Sequence, residues 1–246
     1  MDKSLKLGYA FEIVDTVLDL KQSLRFYEQL GYKKVSESAS PAPRAMLTDG
    51  IIRLSLREGS EWKTTLTYYV ENLAERVAAF EQRGVVFDDK REQDGHVAEA
   101  TLTDPNGMEV NLVEAAPSDI YQPSGSPVSA AGKFGELSIE AGDVRGSIDF
   151  WTRLGFEPTP YMPDPPVAWG SIADGLLMLG IYGKGHCPHI IRTPSITYFE
   201  ADMPERIRKL KQEGMTFLQE LPGENGETGH AVAEAPEGQL LFLFGF

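Results

Sequence analysis

The stretch SLRFYEQLGY, residues 23–32, recurs later in the chain as SIDFWTRLGF, residues 147–156. The matching positions hold a serine, an adjacent pair of aromatic residues and a Leu-Gly-aromatic ending, and each lies 124 residues from its partner. Apolar residues at helical spacing followed by glycine predict an amphipathic helix with a left-handed C-terminal cap. The constant spacing through helix and turn indicates duplicated structural units.

A second repeat supports this interpretation. NLAERVAAFEQRGVVF at 72–87 corresponds to DMPERIRKLKQEGMTF at 202–217, at a spacing of 130 residues. Strands separated by Gly-rich turns, such as DPNG at 104–107, follow the helices. The sequence therefore predicts an α+β fold of four β-α-β-β-β modules. Capping boxes are expected at three helix starts, formed by Asp19 with Gln22, Asn72 with Glu75, and Asp202 with Glu205.

The segment between the second and third modules is rich in Pro, Ser, Gly and Ala and has no hydrophobic periodicity. Such composition is typical of a linker. The modules are therefore expected to pair in sequence order. The prediction is a first domain at 1–116, a linker at 117–131 and a second domain at 132–246.

Composition limits the classes of partner. The 246 residues carry a net charge of −14, and no long Lys/Arg cluster interrupts the acidity, so nucleic acid is not an expected partner. No apolar run is long enough to cross a bilayer, so no membrane partner is expected. The N-terminus lacks an apolar signal core and Cys187 is the one cysteine, which favours the cytoplasm.

The order of elements, the stretch VLDLKQSLRFYEQLGY at 17–32 and the DPNG turn resemble the vicinal oxygen chelate superfamily. That superfamily includes glyoxalase I, extradiol ring-cleaving dioxygenases, fosfomycin-resistance enzymes and bleomycin-resistance proteins. The resemblance covers nearly the whole chain. It implies that the modules pair into two half-open-barrel, glyoxalase-like domains, each with a binding cleft.

The resemblance also implies where metal ligands would lie, on the first and last strand of each module. The eight corresponding positions are Glu12, Arg53, Thr65 and Asn111 in the first domain, and Glu136, Met178, Ser195 and Phe242 in the second. Each cleft has one carboxylate and no imidazole, whereas a divalent metal needs three or four His or carboxylate groups. No metal ion and no other cofactor is therefore predicted, and Glu12 with Arg53 would form a salt bridge or hold a polar ligand.

Further candidates come from the histidines and the aromatic residues. His96 and His230 each follow a glycine and could act as general bases, so with Glu12 and Glu136 they are the weak catalytic candidates. The motif HCPH at 186–189 is better explained as an exposed connector than as a metal site. Aromatic cleft walls stack flat ligands. The predicted ligand-binding set is Glu12, Arg53, Thr65, Tyr69, Asn111, Glu136, Trp169, Met178, Ser195 and Phe242.

Three functions from different classes remain open, of which the third is an interaction or structural protein whose clefts are vestigial. The favoured one is a small-molecule binding protein of the glyoxalase, bleomycin-resistance and dioxygenase superfamily with a degenerate metal site. The alternative is a divalent-metal-dependent lyase, isomerase or ring-cleaving dioxygenase with a nonstandard site, built on Glu12 or Glu136 with His96 or His230. Should the first and third modules face each other, Glu12 and Glu136 would form a carboxylate pair. The sequence decides neither whether the chain is an enzyme nor whether it forms a homodimer.

Overall fold

A computed structural model describes residues 5–159, 169–192, 194–223 and 226–245. Over these residues the predicted α+β fold is confirmed, because four modules follow each other with the order β-α-β-β-β. The first module comprises β1 (Ala10–Val17), α1 (Leu20–Gln29), β2 (Lys33–Ser38), β3 (Arg44–Thr48) and β4 (Arg53–Glu58). The second comprises β5 (Lys63–Val70), α2 (Leu73–Gln82), β6 (Asp89–Gln93), β7 (His96–Thr103) and β8 (Glu109–Glu114).

The third and fourth modules repeat this order after a short 3-10 turn at Pro117–Asp119. The third comprises β9 (Lys133–Ala141), α3 (Val144–Arg153), β10 (Glu157–Pro158), β11 (Trp169–Ala173) and β12 (Met178–Gly183). The fourth comprises β13 (Ser195–Phe199), α4 (Met203–Gln212), β14 (Gln219–Pro222), β15 (Thr228–Glu234) and β16 (Leu240–Phe244). None of the helices within the described ranges is long and apolar enough to span a bilayer.

The described strands form two mixed sheets of eight strands each. Their orders are β2-β3-β4-β1-β5-β8-β7-β6 and β10-β11-β12-β9-β13-β16-β15-β14. The first and last strands of a module pair in parallel, as β1 does with β4, β5 with β8 and β13 with β16. Parallel neighbours need a crossover connection, and the helix with its following strands supplies it in each module. The remaining strands within a module pair antiparallel.

Residue contacts divide the chain into two compact units. The first unit consists of residues 1–12, 65–122 and 139–186, and the second of residues 13–64, 123–138 and 187–246. Each sheet takes its strands from two consecutive modules, whereas each unit combines the second module with the third or the first with the fourth. The domain boundaries at 116 and 132 therefore stay a prediction.

The starts of the helices only partly match the predicted caps. Asp19 is confirmed as an N-cap, because its carboxylate accepts hydrogen bonds from the amides of Lys21 and Gln22. The prediction for Asn72 is wrong. Asn72 has a left-handed backbone (φ 57°) and makes no side-chain cap bond with the described residues, and the Glu114 carboxylate instead accepts from the backbone amides of Asn72 and Leu73.

The prediction for Asp202 is also wrong. Its side chain makes no cap bond within the described part of the chain and instead accepts a hydrogen bond from Arg206 Nε over 2.6 Å. Arg206 lies one helical turn further on, where an ion pair adds little stability at an exposed site. Local sequence spacing therefore identified the start of α4 but not the group that satisfies its amides.

Equivalent contacts join the two modules inside each unit. In the second unit the Ser23 hydroxyl on α1 donates to Glu237 Oε2 over 2.6 Å. In the first unit Asn106 Nδ2 donates to the Ser147 hydroxyl on α3 over 2.9 Å. Ser23 and Ser147 are the 124-residue repeat partners, and Asn106 and Glu237 hold the same place in the turn before the last strand. The internal repeat thus extends to the contacts between modules.

The segments leading into β1 and β9 pack on glycine turns. In the second unit the backbone amide of Val128 donates to the Asp49 carbonyl, and a β-carbon at Gly50 (φ +92°) would clash with the carbonyl of Ser126. In the first unit a β-carbon at Gly155 would clash in the same way with Leu5. The C-terminal part of the predicted linker is therefore packed against the first module.

Candidate functional site

One face of the sheet in the first unit is lined by polar side chains. Thr65, Thr67 and Tyr69 alternate along β5 with Leu66, Tyr68 and Val70, which are fully buried on the opposite face. Asn111 on β8 lies opposite Thr67 in the strand register, and Thr101 on β7 lies opposite Asn111. We call this surface the polar face, and its residues are Glu12, Thr65, Thr67, Tyr69, Thr101 and Asn111.

Glu12 and Tyr69 are joined on this face by a short hydrogen bond. The Tyr69 hydroxyl donates to Glu12 Oε2 over 2.5 Å. Glu12 is only 3% exposed, whereas Tyr69 is half-buried. A buried carboxylate costs free energy unless it is hydrogen-bonded, so the phenol stabilises Glu12 and Glu12 fixes the orientation of the phenol.

Asn111 is oriented by its neighbours. Its Oδ1 accepts from the Thr101 hydroxyl over 2.8 Å, and its Nδ2 donates to Glu109 Oε1 over 3.3 Å. A primary amide nitrogen carries two N–H donors, so one remains available after the bond to Glu109. The half-buried Asn111 therefore presents a fixed donor beside the Tyr69 phenol.

The equivalent glutamate in the second unit has a different environment. Glu136 is buried, and its Oε1 accepts from the Ser138 hydroxyl over 3.0 Å. Ser138 also lies 2.6 Å from the hydroxyl of Thr197, and the Ser195 hydroxyl donates to the Arg192 carbonyl over 2.5 Å. The predicted site residues Glu136 and Ser195 are therefore both buried, Glu136 beside two hydroxyl groups and Ser195 on a backbone carbonyl.

Phe242 is likewise covered. It is 1% exposed, and Ile191 and Phe244 pack against the cluster that it forms with Val232 and Leu240. The imidazole of His189 lies 4.5 Å from the Phe242 ring, between centroids. The expectation of an exposed connector at 186–189 is therefore wrong for His189, which is half-buried, and correct for His186, which is exposed.

Trp169 and Met178 lie half-buried on β11 and β12 in the first unit. The Trp169 ring stacks with Tyr182, and Tyr182 stacks with His186, with centroids 6.4 Å apart in both pairs. Sequence analysis did not select Tyr182. Its place opposite Trp169 in the β11–β12 register, four residues from Met178, is the signal that identifies it.

The other predicted residues are placed as follows. His96 is exposed on β7, and His230 is half-buried on β15 with its Nδ1 accepting from the Gly245 amide over 3.0 Å. Arg53 is buried on β4 in the second unit, whereas Glu12 belongs to the first unit. Glu136 also belongs to the second unit. The roles of all these residues stay predictions.

The donor set of the polar face does not fit a divalent metal ion. It offers one carboxylate, a phenol, an amide and three threonine hydroxyls, whereas a catalytic metal takes three or four His or carboxylate ligands. Within the described ranges no three His, Cys, Asp or Glu side chains group as metal ligands. The Glu12 carboxylate is instead engaged by a phenol.

Comparison with known proteins gives the fold. No family model matches the chain, and no curated protein matches it in sequence. Among solved structures, a variant of homoprotocatechuate 2,3-dioxygenase from B. fuscum in complex with HPCA superposes with a TM-score of 0.64 and 13% identity, covering 98% of this chain and 72% of that one. The Mn(II)-bound glyoxalase from Novosphingobium aromaticivorans gives 0.62 at 15% identity, covering 94% and 79%.

A catechol 2,3-dioxygenase gives a TM-score of 0.60 at 20% identity, covering 97% of this chain and 86% of that one. Extradiol dioxygenases and a glyoxalase are therefore similar to this chain over nearly its whole length. The chain therefore shares its fold, two eight-stranded mixed sheets built from four modules, with these dioxygenases and this glyoxalase. Identities in this range show that the fold is shared, and the activity has to be inferred from the residues of the site.

Proposed function

We propose that the chain binds a small organic molecule on the polar face of the first unit without a catalytic metal ion. The hydrogen bond from the half-buried Tyr69 phenol to the buried Glu12 carboxylate carries the proposal. The phenol donates its proton to Glu12, and a phenol oxygen can also accept hydrogen bonds. Tyr69 contacts the ligand, and Glu12 acts through Tyr69 as a positioning residue.

Asn111 supplies the complementary group. Its second N–H is a donor, and its orientation is set by Thr101. Thr67 lies opposite Asn111, and Tyr69 lies two residues further along the strand, roughly 7 Å away. A ligand that donates to Tyr69 and accepts from Asn111 would therefore span a distance typical of one small ring with polar substituents.

Charge narrows the class of ligand further. The net charge of −14 disfavours anions in the surrounding solution and favours neutral or cationic molecules. Two neighbours in structure are named for homoprotocatechuate and catechol, which are hydroxylated aromatic molecules. Catechol and its cationic aminoethyl derivative dopamine are the first probes that this reasoning selects, with anionic homoprotocatechuate as the charge control.

A thermal-shift screen in excess EDTA tests the proposal, with these three compounds included in a library of small polar organic molecules. Binders at 100 to 1,000 times their dissociation constant are expected to stabilise the protein by roughly 3 to 4 kcal/mol. Tyr69→Phe and Asn111→Ala are each expected to reduce this stabilisation by about 1.4 kcal/mol or more, which corresponds to at least tenfold weaker binding. Glu136→Gln, at the position equivalent to Glu12, is the matched control and is expected to keep it.

Three outcomes would contradict the proposal. The library could give no shift, or the shifts could be the same in Tyr69→Phe as in the wild type. Elemental analysis of protein purified without chelators could also find one divalent ion per chain. That last result would favour the alternative, a metal-dependent lyase, isomerase or ring-cleaving dioxygenase with a nonstandard site.

A further inference from the structure

A second group of polar side chains is buried in the second unit, apart from the polar face. Asp15 on β1 is 0% exposed and lies beside Thr64, Tyr27 and Glu237, which are also buried. Gln239 completes the group from the start of β16. We call these residues the acidic cluster: Asp15, Ser23, Tyr27, Thr64, Glu237 and Gln239. It joins the first module to the fourth.

The orientation of the Gln239 amide is fixed by chemistry. Its Nε2 lies 3.0 Å from two backbone carbonyl oxygens, those of Pro194 and Leu240, and carbonyl oxygens can only accept. Its Oε1 therefore faces the Thr64 hydroxyl, at 2.8 Å. Since Oε1 is an acceptor, Thr64 has to donate its single proton to Gln239.

Thr64 therefore has no proton left to donate to its second neighbour, Asp15. Its Oγ1 also lies 2.5 Å from Asp15 Oδ1, a distance typical of an O–H···O hydrogen bond. If Asp15 were ionised, two acceptors would face each other inside the protein at this distance. A proton on Asp15 removes the conflict, because Asp15 then donates to Thr64 and Thr64 donates to Gln239.

The neighbouring carboxylate has the opposite environment. Glu237 accepts from the Ser23 hydroxyl over 2.6 Å and from the Tyr27 hydroxyl over 3.1 Å, whereas Tyr27 lies 3.4 Å from Asp15. Two hydroxyl donors stabilise a charged carboxylate. Burial raises the pKa of Glu237 as well, but the hydrogen bonds from Ser23 and Tyr27 oppose that rise. Of the two acids, Glu237 is therefore the better suited to carry charge, and Asp15 the better suited to carry the proton.

We propose that Asp15 is a protonated carboxylic acid below neutral pH and that its ionisation at higher pH loosens the contact between the first and fourth modules. The titratable groups that face Asp15 are Glu237 from the β15–β16 turn, Tyr27 from α1 and Tyr32 before β2. All three are acids, so none of them brings a positive charge to Asp15. The acidic cluster is therefore a pH-sensitive element that is independent of the polar face.

Desolvation supports the same protonation state. Burial raises the pKa of Asp15 from 3.8 to about 7, and the negative charge of Glu237 adds to the shift, while hydrogen bonds with Thr64 and Tyr27 oppose it. A group whose pKa is higher in the folded state stabilises the fold fully below its unfolded pKa. That contribution of Asp15 is lost as the pH rises from about 4 through about 7.

The first unit provides a natural comparison. At the same spacing of the repeat, Ile139 replaces Asp15 and Trp151 replaces Tyr27, while Asn106 holds the place of Glu237 in the turn. Asn106 makes a neutral hydrogen bond to Ser147 at the equivalent module contact. At this contact the repeat therefore places the neutral side chain of Asn106 in one unit and the carboxylate of Glu237 in the other.

Asp15→Asn is the decisive variant, because its amide can donate to Thr64 as the protonated acid does. The midpoint of urea unfolding of the wild type is expected to fall between about pH 5 and about pH 8.5. Asp15→Asn is expected to keep the wild-type midpoint at the lower pH and to lose most of the fall. Glu237→Gln is expected to move this fall to lower pH, because removing the like charge lowers the pKa of Asp15.

Infrared spectroscopy detects the protonation state of Asp15 directly, and a purely structural role of Asp15 would give no such signal. At about pH 5.5 the wild-type spectrum minus the Asp15→Asn spectrum is expected to contain the carbonyl stretch of a protonated carboxylic acid, which disappears by about pH 8.5. If Asp15→Asn does not fold, the wild type alone is titrated and compared with Glu237→Gln. The proposal is overturned if this band is absent, if it titrates below about pH 5, or if Asp15→Asn keeps the wild-type pH dependence.

Discussion

Ser23 and Glu237 are separated by 214 residues in the sequence, and the Ser23 hydroxyl donates to the Glu237 carboxylate over 2.6 Å. Both groups are buried. The repeat partner of this contact joins Asn106 and Ser147 over 2.9 Å. The same place in the duplicated modules is therefore occupied by a hydrogen bond to an acid in one unit and by a neutral hydrogen bond in the other.

The two serines are expected to differ in their contribution to stability. A hydrogen bond to a charged group contributes about 1.5 to 3 kcal/mol, and a neutral one about 0.5 to 1.5 kcal/mol. Ser23→Ala should therefore lower the free energy of unfolding more than Ser147→Ala, as measured by urea denaturation. Ser36→Ala, at an exposed position on β2, is the control and should change it by less than about 0.5 kcal/mol. Equal effects of the two buried substitutions would contradict the assignment of charge to Glu237.

A second prediction concerns the glycine turns against which the segments before β1 and β9 pack. Gly50→Ala places a side chain at φ +92° and against the Ser126 carbonyl. Gly84→Ala has a similar backbone (φ +79°) but no atom within 4 Å of the new β-carbon. The left-handed conformation alone costs roughly 1 to 2 kcal/mol. Gly50→Ala should cost a further 1 to 3 kcal/mol, roughly, through the clash.

Thermal and urea unfolding of these two variants measure the difference. If Gly50→Ala and Gly84→Ala destabilise the protein equally, the packing of the 123–131 segment on the first module is wrong. Gly155→Ala, which meets Leu5 in the first unit, should behave like Gly50→Ala.

The N-cap of α1 gives a prediction with a pH dependence. Hydrogen bonds from the amide and side chain of Gln22 hold the pKa of Asp19 below its usual value of 3.8. A lowered folded-state pKa gives stability that is present above the unfolded pKa and is lost as the pH falls through the folded one. Asp19→Ala should therefore lower the melting temperature at neutral pH, and its difference from the wild type should shrink in acid.

Melting curves recorded from neutral pH to the most acidic pH at which the protein folds test this. Asp202→Ala is the comparison, because Asp202 makes no cap bond with the described residues of α4. An Asp19→Ala effect that is independent of pH would contradict the cap.

A fourth prediction concerns His189, whose side chain packs against Phe242. His189 is in ring contact with Phe242 and lies 5.2 Å from Phe244, between centroids. Aromatic contacts contribute about 0.5 to 1.5 kcal/mol beyond burial. His189→Ala should therefore lower the free energy of unfolding by at least about 1 kcal/mol. Lys184→Ala, at an exposed position in the turn that leads into this loop, should have an effect below about 0.5 kcal/mol. Equal effects would mean that the loop does not cover β16.

The fold was predictable because its signals are local and repeated. Helical spacing, the glycine caps and the DPNG turn each act within a few residues, and the repeat supplied independent copies of the first two. The failed caps at Asn72 and Asp202 have a different cause. Glu114 replaces the local cap at α2 from a strand 41 or 42 residues away, and no local pattern contains that information.

For the candidate site, the sequence predicted only which residues of a strand share a face, because strand alternation carries no further information. Alternation placed Thr65 and Tyr69 on one face of β5, and the register of β8 adds Asn111. The same reasoning placed Phe242 at a cleft, but burial of that side chain depends on how the loop around His189 packs. The acidic cluster was missed because Asp15 lies on the helix-facing side of β1, where alternation predicts an apolar residue.

The most direct test of the central claim is calorimetric titration of the wild type and Tyr69→Phe in excess EDTA, with the strongest binder from the thermal-shift screen. The account predicts that the wild type binds in EDTA and that Tyr69→Phe binds about tenfold or more weakly, a loss of about 1.4 kcal/mol. Binding that is abolished by EDTA, or that is equal in the two proteins, would contradict a metal-free site on the polar face.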